Sequence, residues 1–341
     1  MIDCRNRTTT TALAAGKFTN LLKQYMSQFS TINAMTVDVE DYFHVSGFAD
    51  QVSRSDWDRM PSRVVANTQR LLALMDKHQT RGTFFVLGWV AEKFPQLVRD
   101  IHQAGHEVGC HSYWHQLVYD LSPDEFRQDI VKARDVLQDL TGEAITHYRA
   151  PSFSITGRSL WALEVLADEG FTCDSSIYPV YHDRYGIPEA DPTPHRVLTS
   201  SGALDEFPGG VANFGKLRLA VSGGGYFRLY PRRFSEFCLG RINTQSASPF
   251  MFYIHPWEVD PDQPRLSGSL MSKFRHYQNL RTTEHKLNWL LPRFRFDSMS
   301  ASIKSVQSEM SEYSLAKGLY GLGEELLANP EHVAELQLQN S

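Results

Sequence analysis

From Thr31 onward, short apolar runs alternate with segments whose apolar residues recur at helical spacing, and this constrains the chain more than any other feature. Such alternation is the pattern of parallel βα units, in which each strand is buried and each helix covers it. Ile32 to Val39 reads as the first strand, followed by a helix with Val64, Val65, Thr68, Leu71, Leu72 and Met75 on one face. Thr83 to Leu87 and His106 to Cys110 read as the next strands, with a helix between them that starts at Pro95. Ser122-Pro-Asp-Glu125 has the form of a capping box, and Gly142 stops the helix it opens. Ile145 to Tyr148, Phe171 to Cys173 and Phe250 to Ile254 complete the strands, and Tyr178 to Pro194 reads as loop with four prolines. The expected fold class is α/β.

Four of these strands run directly into ionisable groups: Asp38, Glu40 and Asp41 after the first, then His111, Arg149 and His255. Asp174 follows another. In parallel α/β folds the carboxyl ends of strands converge on one edge, so residues placed there meet although they are far apart in sequence. That convergence points to an enzyme. His111-Ser-Tyr-Trp-His115 sets two imidazoles four residues apart, which on a helical turn share one face. With one carboxylate they make a three-ligand divalent site that keeps open positions. Asp38 and Glu40 lie on one strand face, and Asp41 remains an alternative ligand if the strand ends early. Arg149 reads as an ion-pair partner that holds a carboxylate charged. His255 reads as a general acid and Asp174 as the group that fixes its tautomer, or alternatively as a turn or cap residue.

Composition narrows the function classes. The 341-residue chain carries a formal net charge of −5, so it has no overall basic field to hold nucleic acid. Cys4, Cys110, Cys173 and Cys238 are widely spaced and form no CxxC pair, which fits reduced thiols. No apolar run is long enough to span a membrane, and the first 30 residues show no signal-peptide core. The expected location is cytoplasmic, at most peripheral at the inner membrane face.

Taken together, the motifs resemble those of the polysaccharide deacetylase family, the NodB-homology carbohydrate esterases. Thr36-Val-Asp38 with Glu40 and Asp41 is similar to the first motif, and His111-Ser-Tyr-Trp-His115 matches the H(S/T)xxH motif in full. Arg149-Ala-Pro-Ser-Phe153, Asp174-Ser-Ser176 and Ile254-His255 follow in the family's order. The first motif departs from the usual TFDD because Val39 follows Asp38, which displaces the acidic ligand to Glu40 or Asp41. Asp-Val-Glu-Asp-Tyr-Phe-His, Ile-His-Pro-Trp-Glu and the region Phe274 to Phe296 resemble the subfamily encoded with bacterial exosortase and exopolysaccharide loci.

The resemblance implies a distorted (β/α) barrel of about seven parallel strands with a C-terminal helical extension. The expected organisation is an N-terminal extension at 1–30, a NodB-like domain at 31–266, a family-specific segment at 267–300 packed on the barrel, and a helical polar tail at 301–341. It also implies removal of N-acetyl groups from an amino sugar, in a polysaccharide or a lipid-linked precursor. The implied cofactor is a divalent metal, Zn²⁺ first and Co²⁺, Ni²⁺ or Fe²⁺ otherwise, held by His111, His115 and Glu40 or Asp41. Asp38 is then the base, Arg149 its anchor, and His255 steered by Asp174 the acid. A backbone N–H near Phe153 helps to hold the oxyanion. Phe153, Tyr113, Trp114 and Trp257 are expected to provide faces for sugar rings. The competing readings are a metal amidohydrolase on a non-sugar amide or imide and an inactive glycan-binding module. The C-terminal region is also a candidate contact for exopolysaccharide biosynthesis proteins.

Overall fold

A computed structural model of the chain describes residues 30–322 except residue 216. The expected extension at 1–29 and the end of the tail at 323–341 lie outside the described residues, as does Cys4. Strand β1 (Ile32–Val39) is buried on both faces over nearly its whole length, as a central parallel strand must be. It is followed by α1 (Val64–Lys77), β2 (Thr83–Val86), α2 (Gly88–Lys93), α3 (Pro95–Gln103) and β3 (Glu107–Cys110). Then come α4 (Pro123–Thr141), β4 (His147–Tyr148), α5 (Trp161–Asp168) and β5 (Cys173–Asp174).

The local signals act as the chemistry requires. Ser122 and Glu125 cap α4 reciprocally, and Gly142 closes it in a left-handed conformation (φ 73°). Pro95 opens α3, where its missing N–H costs nothing. Residues 145, 146, 171 and 172 fall outside the strands expected there; β4 and β5 are only two residues long each.

Tyr178 to Pro194, read as loop, carries no helix or strand, and the elements that follow it before Met251 were not expected from the sequence. Strands β6 (His195–Leu198) and β7 (Ala203–Glu206) pair antiparallel, and β8 (Val211–Phe214) with β9 (Leu217–Ala220) forms a separate hairpin. Helices α6 (Gly224–Leu229) and α7 (Arg232–Gln245) lead to β10 (Met251–Ile254). Helices α8 (Leu270–Tyr277) and α9 (Leu280–Leu290), strand β11 (Arg295–Asp297), helix α10 (Met299–Val306) and strand β12 (Ser311–Ser314) follow.

The main sheet runs β10-β1-β2-β3-β4-β5-β7-β6-β12, and β11 pairs with β1. From β10 to β7 all neighbours are parallel. Gly209, just past β7, makes a single parallel bridge to Met251 of β10. The seven-strand path therefore meets itself at one point, a strongly distorted barrel. At Gly209 a side chain would collide with the Tyr178 ring (2.4 Å), which explains glycine at the join.

The expected helical polar tail is corrected over 311–322, beyond α10. Residues 311–314 form β12 beside β6, and Leu315 and Leu319 are buried. Tyr320 reaches His195 Nε2 at 2.5 Å. The period of 3.6 fails there because the segment is held by a strand edge and two apolar anchors. Among the described residues, Cys110, Cys173 and Cys238 are free and buried. No described helix is long and apolar enough to cross a membrane.

Candidate active site

The carboxyl ends of β1, β3, β4 and β10 deliver Asp38, Glu40, His111, Arg149 and His255 to one place. Asp38 on β1 and Glu40, one residue past its end, both face inward: their carboxylates lie 3.8 and 3.7 Å from His255 Nε2. Glu40, His111 and His115 are all buried and present ligand atoms within 4.8 Å of one another. The loop carrying both histidines is not helical. Ser112 (φ 62°) and His115 (φ 53°) are left-handed, and this fold-back, not a helical turn, gathers the imidazoles. Asp129 of α4 fixes the loop by accepting from the N–H groups of Tyr113 (2.7 Å) and Trp114 (3.0 Å).

His111 Nδ1 donates to the Arg149 carbonyl at 2.8 Å, which leaves Nε2 as a lone pair facing the site. Burial pushes the His111 pKa down to about 4, so it stands neutral, as a ligand must. Glu40 is buried too, but His115 above all, then His255 and His111, hold its carboxyl well below the usual carboxylate range. Glu40 Oε2 sits 2.5 Å from His115 Nε2 yet makes no well-formed hydrogen bond. A buried, charged oxygen crowded against an imidazole nitrogen without a well-formed hydrogen bond, with a second imidazole close by, is the donor set of a divalent metal site. The residues present fit such an ion.

The geometry sets Asp41 apart from the Glu40–His111–His115 grouping. The Asp41 carboxylate accepts from Ser62 Oγ (2.6 Å) and from the N–H groups of Arg63 (2.8 Å), Val64 (3.1 Å) and Tyr42 (3.1 Å). It ties down the start of α1, and its lone pairs are occupied there. Trp257 Nε1 donates to Glu40 Oε1 at 3.1 Å and orients the carboxylate.

Arg149 is fully buried and donates to Asp38 Oδ1 (2.7 Å), Thr36 Oγ1 (2.7 Å) and both oxygens of Ser175 (3.1 and 2.8 Å). All three guanidinium nitrogens are engaged, so Asp38 is held in a fixed orientation.

His255 is steered by Glu258, not by Asp174. Its Nδ1 lies 2.8 Å from Glu258 Oε1, and Arg228 Nε donates to Glu258 Oε2 at 2.6 Å. Burial opposes protonation of His255, but the Glu258 contact with Glu40 and Asp38 raises its pKa to about 9. The sequence carried one signal for Glu258: Pro256 follows His255, and an acid at the third helical position is half of a capping box. Arg228 and Asp129 carried none.

Asp174 instead accepts from Ser176 Oγ (2.5 Å) and faces Glu206 at the end of β7. Burial first, and mutual repulsion next for Glu206, raise both carboxyls, Asp174 to about 6. A raised folded-state pKa means the pair stabilises the fold fully below the unfolded carboxyl range of about 4 and loses that contribution as pH rises through 6 and above. Denaturation midpoints at acid and alkaline pH should therefore fall with pH more steeply in the wild type than in Glu206→Gln. Parallel pH profiles would show that the pair carries no shared proton.

The site opens into a cavity of about 460 Å³ lined by Asp38, Glu40, His115, Ser152, Phe153, Tyr185, Tyr226, Tyr253, His255 and Trp257, with further residues at its mouth. Phe153 offers its ring there. Its own N–H is engaged by the Ala150 carbonyl (3.1 Å), so an oxyanion donor near Phe153 would be a different N–H. Trp257 stacks between His255 (5.0 Å) and His276 (4.1 Å), a wall more than a platform. Trp114 faces a neighbouring cleft of about 340 Å³ with Trp57, Phe43 and Arg54, which shares His115 and Ser46 with the first. Tyr113 lines neither: it is buried, bonded to Glu92 and capped by Lys132 (3.6 Å), because the loop's fold-back turns it away.

Residues 51–171 match the family model "Polysaccharide deacetylase", and residues 175–304 match "Domain of unknown function (DUF3473)". The chain is 38% identical over 98 residues to a peptidoglycan-N-acetylglucosamine deacetylase of Bacillus cereus, covering 28% of this chain and 36% of that protein. It is 32% identical over 121 residues to a peptidoglycan deacetylase of Helicobacter pylori, covering 34% of this chain and 40% of that protein. The matched region thus spans well under half of these relatives' length. The crystal structure of a candidate polysaccharide deacetylase from Mycobacterium smegmatis superposes with a TM-score of 0.56 at 19% identity, over 83% of this chain and 92% of that one. That likeness bears on the fold.

Proposed function

We propose, for a chain that belongs to the polysaccharide deacetylase family, that the site hydrolyses N-acetyl groups on an amino sugar of a glycan. The observation that carries this reading is the meeting of Asp38, pinned by Arg149, with His255, pinned by Glu258, beside the Glu40–His111–His115 cluster. A base and an acid next to a metal-type donor set is what amide hydrolysis needs: one proton leaves water and another must reach the amine.

Glu40, His111 and His115 would hold a divalent ion, zinc first and Co²⁺, Ni²⁺ or Fe²⁺ as alternatives. Bound there, such an ion supplies Lewis acidity to the acetyl carbonyl and the attacking water. Asp38 accepts the water's proton while Arg149 fixes its carboxylate. His255, charged and oriented by Glu258, protonates the departing nitrogen, without which the tetrahedral intermediate reverts. The aromatic walls Phe153, Tyr185 and Trp257 exclude water around the acetyl group. Amide hydrolysis consumes one water and yields acetate and a free amine. The resemblance of the motif variants supports an acetylated precursor of an exopolysaccharide, polymeric or lipid-linked, as substrate.

The test is metal content and acetate release on the same preparation. About one equivalent of divalent metal should be present, be lost in His111→Ala/His115→Ala, and be required for acetate release from N-acetylglucosamine oligomers. Turnover of cyclic imides without acetate release from glycans would replace this reading with the amidohydrolase one. Failure to hold any divalent ion after reconstitution would remove both.

A further inference from the structure

Helix α8 (Leu270–Tyr277) is amphipathic in an inverted sense. At 3.6 residues per turn, Leu270, Phe274 and Met271 share a sector of about 100°, yet they are 87%, 56% and 59% exposed. The opposite side is the anchored one. His276 is buried, stacked on Trp257 and bonded to Gln263 Oε1 (2.7 Å), and Arg228 donates to the carbonyls of Arg275 and His276. The helix cannot roll its apolar sector inward without breaking these contacts. Lys273 and Arg275 project at the two borders of that sector, one on each side.

The surroundings continue the pattern. Met271 and Phe274 stand at the mouth of the catalytic cavity together with Leu229 of α6, itself exposed, and with Arg184 and His182 on the facing lip. Tyr181, next to His182, is 91% exposed. Residues 265–281 contain Arg265, Lys273, Arg275 and Arg281 and no Asp or Glu, in a chain whose formal net charge is −5. Asp183 is the acid facing this group, 3.4 Å from Arg275.

We infer that α8 and the adjoining lip seat the protein on an anionic phospholipid surface, with the mouth of the catalytic cavity turned toward the lipid headgroups. An apolar sector bordered by cations is the arrangement of a helix lying in the plane of a membrane interface: the apolar side chains enter the acyl boundary and the cations meet the headgroup charge. A self-association surface would not need cations on both borders. The inference goes beyond the deacetylase reading. It assigns the place of action and implies a substrate held near the bilayer by a lipid anchor.

The test needs no substrate, so its failure and failure of the deacetylase reading are separate results. The full chain is sedimented with unilamellar vesicles of phosphatidylglycerol and phosphatidylcholine in equal parts, and with phosphatidylcholine alone. Binding to the anionic vesicles is expected, weakening as salt rises. It should fall at least about tenfold in Leu270→Ser/Lys273→Glu, two positions that do not line the cavity. That variant should keep the wild-type thermal midpoint and its rate on short soluble oligosaccharides. No binding to anionic vesicles, or equal binding by the variant, overturns the proposal. A concentration-dependent dimer abolished by the same substitutions, with no vesicle binding, assigns the patch to a second copy instead.

Discussion

Replacing Asp38 by Asn is expected to lower kcat for acetate release by about 100- to 10,000-fold while leaving bound metal close to wild type; the thermal midpoint falls as well, because fully buried Arg149 loses its counter-charge. The amide keeps the size of the side chain and an oxygen for Arg149, but it cannot take a proton. The neighbouring acids give different outcomes from the same substitution, and that contrast makes the experiment decisive. Glu40→Gln should lose the divalent ion, because a neutral amide oxygen is a poor substitute for the one carboxylate beside two imidazoles. Asp41→Asn should keep the ion and lose stability by about 1–3 kcal/mol, since it leaves donors at the start of α1 imperfectly satisfied. Metal content by elemental analysis, steady-state kinetics and thermal unfolding separate the three. Loss of the ion in Asp41→Asn and its retention in Glu40→Gln would reverse the ligand assignment.

This contrast also marks where the sequence was legible. Asp38 and Glu40 could be paired in advance because strand geometry alone puts residues two apart on one face. Their distance from His255 follows from β1 and β10 being neighbours, with Val37 opposite Ile254. From Ile32 to Tyr148 the strands and all helices except the six-residue α2 were readable for a similar reason: their signals are local, as with Ser122, Glu125 and Gly142 around α4. The histidine loop was half legible. Its ligand spacing was visible, but the left-handed backbone at Ser112 and His115 was not, since neither residue type demands it. For that reason Tyr113 looked like a sugar platform when it is turned into the core.

Partners fixed by tertiary contact stayed hidden. Asp174 reads as following a strand, as a steering carboxylate would, but its neighbour across the sheet is Glu206 on β7, a strand the sequence reading did not include. Arg228 lies in α6, also unread, and reaches Glu258 across thirty residues of chain, a pairing that no periodicity encodes. β12 was missed because a four-residue edge strand has too little pattern to outweigh its polar surroundings.

The Glu258–His255 pairing yields the second large effect. Glu258→Gln is expected to lower kcat by about 100-fold or more, because the amide keeps a hydrogen-bond acceptor near His255 Nδ1 but withdraws the negative charge that favours the protonated ring. It also strands Arg228, which is 1% exposed and otherwise bonded only to carbonyls. Breaking a buried pair by neutralising one partner costs on the order of 3–5 kcal/mol. Stability and rate can therefore be separated by a second substitution. Arg228→Met in the Glu258→Gln background removes the uncompensated charge and should recover much of the thermal midpoint, while kcat stays low because the carboxylate is still absent. Asp174→Asn is the control: Asp174 does not touch His255, so the proton delivered to the leaving amine should be unaffected and the rate should fall far less than in Glu258→Gln. Equal losses in the two single variants would return the steering role to Asp174. Recovery of kcat along with stability in the double variant would show that Glu258 acts only by neutralising Arg228.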